Sequence, residues 1–246
     1  MSGPRLDLLA LYSEAMDAGA DTANLAVLRV RAGWEGVDAR VDTLALGAGL
    51  PAARPDVVLL GSGADEDLAE VGPLVAALGD GLRDWVAAGT ALLAVGTGLD
   101  LLAQSWERGP GEFVAGAGVF AGEARLLPSR ASGDLVVEQQ ADDAALVGFE
   151  NHARGYLLAS GETALGPVRS GVGNGAGSVG EGVLGAAGTA IGTHLHGPLF
   201  GRNPALADRV LARAMAARHG AGFASTSVEA TRADALAART REALLR

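Results

Sequence analysis

The 246-residue chain has no cysteine and no lysine, and only four histidines. Without cysteine there are no disulfides, thiolate metal sites, iron–sulfur clusters or thiol nucleophiles. Without lysine there is no P-loop lysine, no lysine Schiff base and no Ser-Lys dyad, so a Walker-type ATP site is excluded. All basic residues other than histidine are arginine. The histidines are His152, His194, His196 and His219. A metal site would need them to converge with carboxylates. His194 and His196 sit two apart, which on a strand puts both on one face; such a pair alone does not make a site, and no metal is expected. No apolar run approaches the ~18–20 residues that cross a bilayer. The opening MSGPRLDLLALY has too short an apolar stretch for a signal peptide and lacks a small-residue cleavage site, so a cytoplasmic location is expected.

What is present is acidic and apolar. The net charge is −10 and the isoelectric point about 4.8, a balance that repels phosphate backbones and argues against nucleic acid as a partner. Hydrophobic residues make up 49% and charged residues 20% of the chain, which suits one α/β domain with a substantial core. Arg in place of Lys, abundant Ala and Gly, and a lone isoleucine (Ile191) reflect a biased genome composition.

Residues 5–12 (RLDLLALY) read as a first strand entering a polar loop at 13–21. Residues 22–33 carry apolar positions at helical spacing and end at glycine, and 37–46 alternate like a strand. DVVLL at 56–60 and ALLAV at 91–95 are near-continuous apolar runs, as parallel strands covered on both faces should be. Between them, 65–88 reads as one or two helices interrupted near Pro73 and at 79–81, and a helix is expected at 99–107. Alternating strand and helix over the first ~110 residues predicts a parallel sheet with right-handed crossovers. The loops at the carboxyl ends of its strands, 13–21, 61–67 and 96–98, are then the functional ones. From 112 to 196 glycine is frequent and the pattern predicts short strands in antiparallel hairpins, with a long mobile loop at 161–185. A strand is expected at 189–196. Asn203-Pro204 predicts an N-cap and a helix to about Arg218 stopped by Gly220, and 228–246 a final amphipathic helix. No repeat or linker is evident.

The turn LLAVGTGLDLL (92–102) runs from a buried strand through a sharp bend straight into a helix, the form of a nucleophile elbow. Its apex is Gly96, which tolerates the conformation without strain and offers no side chain. Alone, such a turn equally closes a βα unit or cradles an anion on backbone N–H groups.

Six segments, in order, resemble one family. LYSEAMDAGADTANLAVLRVRAGWEG (11–36), with Met16, Asp21, Asn24 and Arg31 at matching places, LLGSGADED (59–67), LLAVGTGLDLLAQ (92–104), RASGDLVV (130–137), GFENHARGYL (148–157) and GTHLHGPLFGRNPALADRVL (192–211) are similar to class I glutamine amidotransferases of the CobB/CobQ-like type. Within that type the likeness is to the glutaminase subunit of lipid II isoglutaminyl synthase. It spans roughly residues 11–211 and implies a three-layer, flavodoxin-like α/β domain with a mostly parallel central sheet, expected over residues 1–220; the remainder, 221–246, is expected from its own pattern as a C-terminal helical tail. It also implies a mechanism. In the family the elbow cysteine attacks the carboxamide carbon of glutamine, the histidine of the LHG segment relays protons, and N–H groups of the elbow and the Gly-rich loop hold the oxyanion. An arginine grips the glutamine, and ammonia passes to a Mur-ligase-like partner that amidates an ATP-activated D-glutamate of the cell-wall precursor.

Carried onto this chain, the cysteine position is Gly96, the histidine is His196 and the arginine is Arg130. The oxyanion donors are the amide of Thr97 and one from Gly61, Ser62 and Gly63. The chain departs from the family at Gly96, at Thr97 in place of glycine, at Leu99-Asp100 in place of Tyr-Gln, at His194 in place of tyrosine, and at Gly61-Ser62-Gly63-Ala64 in place of Gly-Gly-Gly-Gln. Losing the nucleophile costs on the order of 10⁴–10⁶ in rate. The expectation is therefore a degenerate subunit without cofactor that acts as a binding or scaffold partner of a Mur-ligase-like synthetase or of an active paralogue. Its cleft would hold glutamine, glutamate or another small carboxylate. Two alternatives stand beside it: a rewired enzyme using Thr97, Asp100, His194 and His196, through activated water or a metal, and a free-standing sensor of a small carboxylate.

Overall fold

The computed structural model describes residues 3–139, 145–175, 178, 180–185 and 188–245. The first part alternates β1 (Arg5–Leu11), α1 (Ala23–Trp34), β2 (Asp38–Leu44), β3 (Val57–Leu60), α2 (Leu68–Ala77), α3 (Gly79–Ala87), β4 (Ala91–Val95) and α4 (Thr97–Leu102). There follow β5 (Ser105–Gly109), β6 (Glu112–Ala115), β7 (Glu123–Val137), β8 (Leu146–Leu157), β9 (Val168–Ser170), β10 (Val183–Leu184) and β11 (Ala190–Thr193). Helices α5 (Leu199–Arg202), α6 (Pro204–His219) and α7 (Val228–Leu244) close the chain.

Every side chain of β3 and β4 is buried, which only a strand covered on both faces can achieve. They occupy the middle of a six-stranded sheet of order β10-β11-β4-β3-β1-β2, parallel except for the β10–β11 pair. Strand alternation sorts the core into two layers. Leu6, Leu8 and Leu59 pack with Leu25 and Leu28 of α1 and Leu211 of α6, while Leu9, Leu11 and Leu60 pack with Val71 and Val75 of α2. Each such leucine, fully buried, contributes roughly 1.5–3 kcal/mol. From the β2 edge the parallel strands run β2-β1-β3-β4-β11, the flavodoxin-like order, which opens a crevice where the order reverses beyond β1 and β3. The expected fold class is the one observed.

Several local expectations need correction. The interruption at Pro73 does not occur: α2 runs through it and the break falls at Leu78. The helix expected at 99–107 instead starts at Thr97, against the bend, and ends at Leu102, and 105–109 is a strand. The strand expected at 189–196 ends at Thr193. The strands beyond residue 112 are not all short. β7 and β8 pair from Glu123↔Leu157 to Val137↔Leu146 and form the spine of a second sheet with β5, β6 and β9. The segment 161–185, expected as a long mobile loop, carries β9 and β10 among its described residues. It is tied down by Asn174, whose side chain bonds both the N–H and the carbonyl of Gly182. Asn203 precedes α6 as expected, but its side chain makes no cap bond. It bonds the N–H and carbonyl of Val147 and so locks α6 to the start of β8. Arg246, the expected end of the last helix, lies outside the described residues.

Among the described residues no helix is long and apolar enough to cross a membrane. Helix α7 docks through charge. The guanidinium of Arg31, 3% exposed, makes two bonds of 2.8 Å to Asp208 of α6 and one of 2.8 Å to Asp234 of α7, and Arg241 donates to the carbonyl of Arg202. Replacing Arg31 with Met keeps the apolar stem but strands two carboxylates. The expected loss is about 1–3 kcal/mol, read as a fall in Tm of roughly 3–8 °C; an unchanged Tm would show that α7 is held by other contacts.

Candidate functional site

The loops beyond β1, β3, β4 and β11 meet at the crevice. At the end of β4 the chain reverses at Gly96, with φ +55° and ψ −123°, and enters α4 at the next residue. Glycine adopts this backbone without the steric cost other residues carry. Gly98, two residues on, is pressed against β3: a Cβ there would lie 2.4 Å from the carbonyl oxygen of Leu60. Gly61 is equally constrained, its missing Cβ 2.4 Å from the Met16 carbonyl.

The space that a side chain at 96 would enter is already filled. A Cβ on Gly96 would stand 2.7 Å from His196 Cε1, 2.7 Å from Ser62 Oγ and 3.1 Å from His196 Nε2. His196 is anchored through its N–H to the Phe149 carbonyl at 2.8 Å. Its Nδ1 lies 3.5 Å from Asp21 Oδ1, too long for a good hydrogen bond, and both ring nitrogens are buried without a hydrogen-bond partner among the described residues. Asp21 is fully buried.

The backbone donors around the bend are engaged internally. The Ser62 N–H donates to Asp21 Oδ2 at 2.9 Å, the Gly63 N–H to Thr97 Oγ1 at 2.8 Å, and the Thr97 N–H to Ser62 Oγ at 3.4 Å. The Thr97 hydroxyl in turn donates to the Gly63 carbonyl at 3.2 Å. Its side chain therefore stitches α4 to the loop after β3.

In front of this bend opens a cleft of about 560 Å³, lined among others by Ser62, Glu66, Arg130, His196 and Arg202. Arg130 projects from β7, bonds Asn151 Oδ1 at 3.2 Å and pairs with Asp65. Asp65 also holds Arg154 at 2.8 Å.

Behind the cleft lies a buried polar network. The rings of His152 and His194 stack with centroids 4.0 Å apart. His152 bonds Glu150 at 3.1 Å and His194 bonds Glu181 at 3.0 Å. Burial would raise both carboxyls, but Glu150 is held below its ordinary value by His152 and the N–H groups of Val172 and Gly173. Glu181 is held low by His194 and Thr193. His152 is itself pushed down, by burial first and by His194 second. Asp100 behaves oppositely: burial raises it to about 7 despite Arg154 3.6 Å away.

The matched segments now have a common geometry, and comparison with known proteins agrees with it. Residues 4–204 match the CobB/CobQ-like glutamine amidotransferase domain. The chain belongs to that family. It is 28% identical over 218 residues to the lipid II isoglutaminyl synthase (glutamine-hydrolyzing) subunit GatD of Streptococcus pneumoniae, covering 88% of this chain and 83% of that protein. It is 25% identical over 209 residues to the GatD subunit of Staphylococcus aureus, covering 85% and 84%. A crystal structure of a glutamine amidotransferase superposes with a TM-score of 0.50 at 15% identity, covering 84% of this chain and 98% of that one, a likeness of fold.

Of the residues singled out in the sequence of this amidotransferase homologue, Gly61, Ser62, Gly63, Gly96, Thr97 and His196 come together at the bend, and Arg130 reaches the same cleft. Of the set expected for a rewired enzyme, Thr97 and His196 line the cleft together, while His194 is committed to Glu181 and the ring stack, the Thr97 hydroxyl to Gly63, and Asp100 lies beside Arg154. Among the described residues no group of three or more His, Asp or Glu is arranged to hold a metal. Asp21, Glu66 and Arg202 were not singled out as site residues. All three lie within matched segments, 11–36, 59–67 and 192–211, but only Asp21 falls at a position matched by residue type.

Asp100 permits a test of the network. Its carboxyl is raised from 3.8 to about 7, so the folded form binds a proton that the unfolded chain releases, and wild type loses stability as pH rises from 3.8 to about 7. Asp100→Asn escapes that cost. Urea unfolding should find it more stable than wild type by on the order of 2–4 kcal/mol at pH 8, with the gap closing near pH 4. A gap independent of pH would refute the assignment.

Proposed function

We propose that this chain is a thiol-free amidotransferase-like subunit that does not hydrolyse glutamine through a thioester. In this reading it works in the cytoplasm as a binding or scaffold partner of a Mur-ligase-like amide synthetase in the amidation of a cell-wall precursor. The support for a partnered role is that its relatives are named as subunits of a lipid II isoglutaminyl synthase. Gly96 stands for the family's nucleophile, His196 for its proton relay, and Arg130 for its substrate arginine.

One observation carries the reading. The apex has no side chain, and the donors that would hold an oxyanion are already bonded to side chains of the protein itself: Ser62 N–H to Asp21, Gly63 N–H to Thr97 and Thr97 N–H to Ser62. Acyl transfer needs both an attacking atom and free donors placed where charge develops. Here the attacking atom is missing, and the donors are occupied: the Ser62 N–H by Asp21, the Gly63 N–H by the Thr97 hydroxyl, and the Thr97 N–H, over a longer 3.4 Å, by the Ser62 hydroxyl.

The test is glutamine turnover followed by ammonia release, with the chain alone and with its co-purified synthetase. Wild type should stay at background. Gly96→Cys alone should stay within ~10-fold of background, because the donors remain engaged and His196 must move aside. Gly96→Cys combined with Ser62→Gly and Thr97→Gly should exceed the single variant by ~10²-fold or more, the usual worth of an oxyanion donor. Wild-type turnover at an ordinary enzymatic rate would end the proposal, and full activity of the single variant would end the role given to the hydroxyls. Failure to capture any Mur-ligase-like protein from the native host would end the scaffold role.

A further inference from the structure

What the cleft still offers is one guanidinium that the protein leaves unused. Arg202, half-buried at the end of α5, lines it, and its guanidinium makes no hydrogen bond or ion pair among the described residues. Arg130, its side chain 46% exposed, reaches the cleft with part of its guanidinium free of protein. Two carboxylates line the same space: Asp65, paired with Arg130 and Arg154, and the exposed Glu66, which among the described residues has no ion pair.

An amide head group is recognised by donors for its oxygen and acceptors for its NH₂. A carboxylate asks only for donors, and cationic ones bind it about twice as strongly as neutral ones. The Ser62 and Gly63 N–H groups suited to the carbonyl of an amide are spent on Asp21 and Thr97, and the Thr97 N–H makes a long contact to Ser62, whereas the guanidinium of Arg202 has no partner among the described residues. We infer that this cleft selects a dicarboxylic amino acid of the glutamate class over its amide. Arg202 takes the side-chain carboxylate, Arg130 takes the α-carboxylate and Glu66 takes the ammonium. Arg202 is the residue that sets the preference, because a planar guanidinium donates two parallel bonds to a carboxylate but can donate only to the oxygen of an amide, whose NH₂ it cannot accept. This inference rests on the reading of the cleft as a non-hydrolysing binding site.

Calorimetric titration of the full chain at pH 7 and low salt tests it, with L- and D-glutamate compared with L- and D-glutamine and ammonia followed in the same samples. One glutamate enantiomer should bind at least ~10-fold more tightly than the matching glutamine, a difference of about 1.4 kcal/mol. Arg202→Gln should erase that preference by weakening glutamate ~10-fold or more while leaving glutamine within ~2-fold. Arg40→Gln, on β2 and paired with Asp38, should change neither. Glutamine binding as tightly as glutamate without turnover would overturn the inference and leave the subunit reading intact. The inference would equally fall if Arg202→Gln behaved like wild type, or if neither acid bound at up to ~10 mM. Ammonia release from glutamine would instead count against the non-hydrolysing reading.

Discussion

The reversal at Gly96 is the constraint on which the site depends. A parallel strand buried on both faces must hand over to its helix within one residue, and the backbone meets that demand only at a positive φ. Gly98 then lets α4 lie against the carbonyls of Leu60 and Gly61. This close contact brings the first turn of α4 beside the loop after β3, near enough for one hydroxyl to bridge them. The geometry that elsewhere presents a nucleophile is retained here by packing, whether or not a nucleophile is present.

Once that bend exists, its polar groups need partners, since a buried donor left unpaired costs about 1–3 kcal/mol. Thr97 and Ser62 supply them. Each hydroxyl both accepts an N–H bond and lies 3.3 Å from the other, so the vacated mouth is closed by a small reciprocal lattice. His196 is the exception. Its ring fills the remaining space with both nitrogens unmatched, next to an unmatched oxygen of Asp21. The bend is thus satisfied through its backbone amides, while the ring of His196 and one oxygen of Asp21 have no partner among the described residues.

How much of this was legible in the sequence depended on which physical signal each part carries. The runs at 56–60 and 91–95 identified the central strands because burial on both faces leaves an unbroken apolar string. The end of α4 was misplaced because LDLLAQSWE keeps a helical rhythm past Leu102, where Trp106 is in fact buried from a strand. The long β7–β8 pair was hidden by its partly exposed pattern and by Gly133 in its interior. The Gly-rich segment looked mobile because its anchors, Glu150 and the side chain of Asn174, are polar contacts made elsewhere in the chain or within the loop itself. At the site, motif likeness located Gly96, Thr97, His196 and Arg130, but not where their hydrogen bonds go. The bond from Ser62 to Asp21 spans 41 residues of sequence, and Arg202 matters through the absence of a bond, which no spacing rule records.

The buried network behind the cleft constrains what the cleft can do. Asp65 serves Arg130 in front and Arg154 behind, and Arg154 in turn faces Asp100, whose carboxyl burial pushes up to about 7. If Asp100 were as ionised as a surface carboxylate, Arg154 would have two anions to satisfy and would compete less for Asp65. Asp65 is divided between two arginines, and neither holds it alone. Arg130 therefore shares its counter-ion, while Arg202, lining the same cleft, has no ion pair among the described residues. In a chain of net charge −10, a cleft in which two guanidiniums balance two carboxylates, Asp65 and Glu66, repels anions less than the surface around it. The acidity of the protein as a whole and the unused guanidinium of its cleft are then complementary: the first repels anions from most of the surface, and the second leaves them a place to bind.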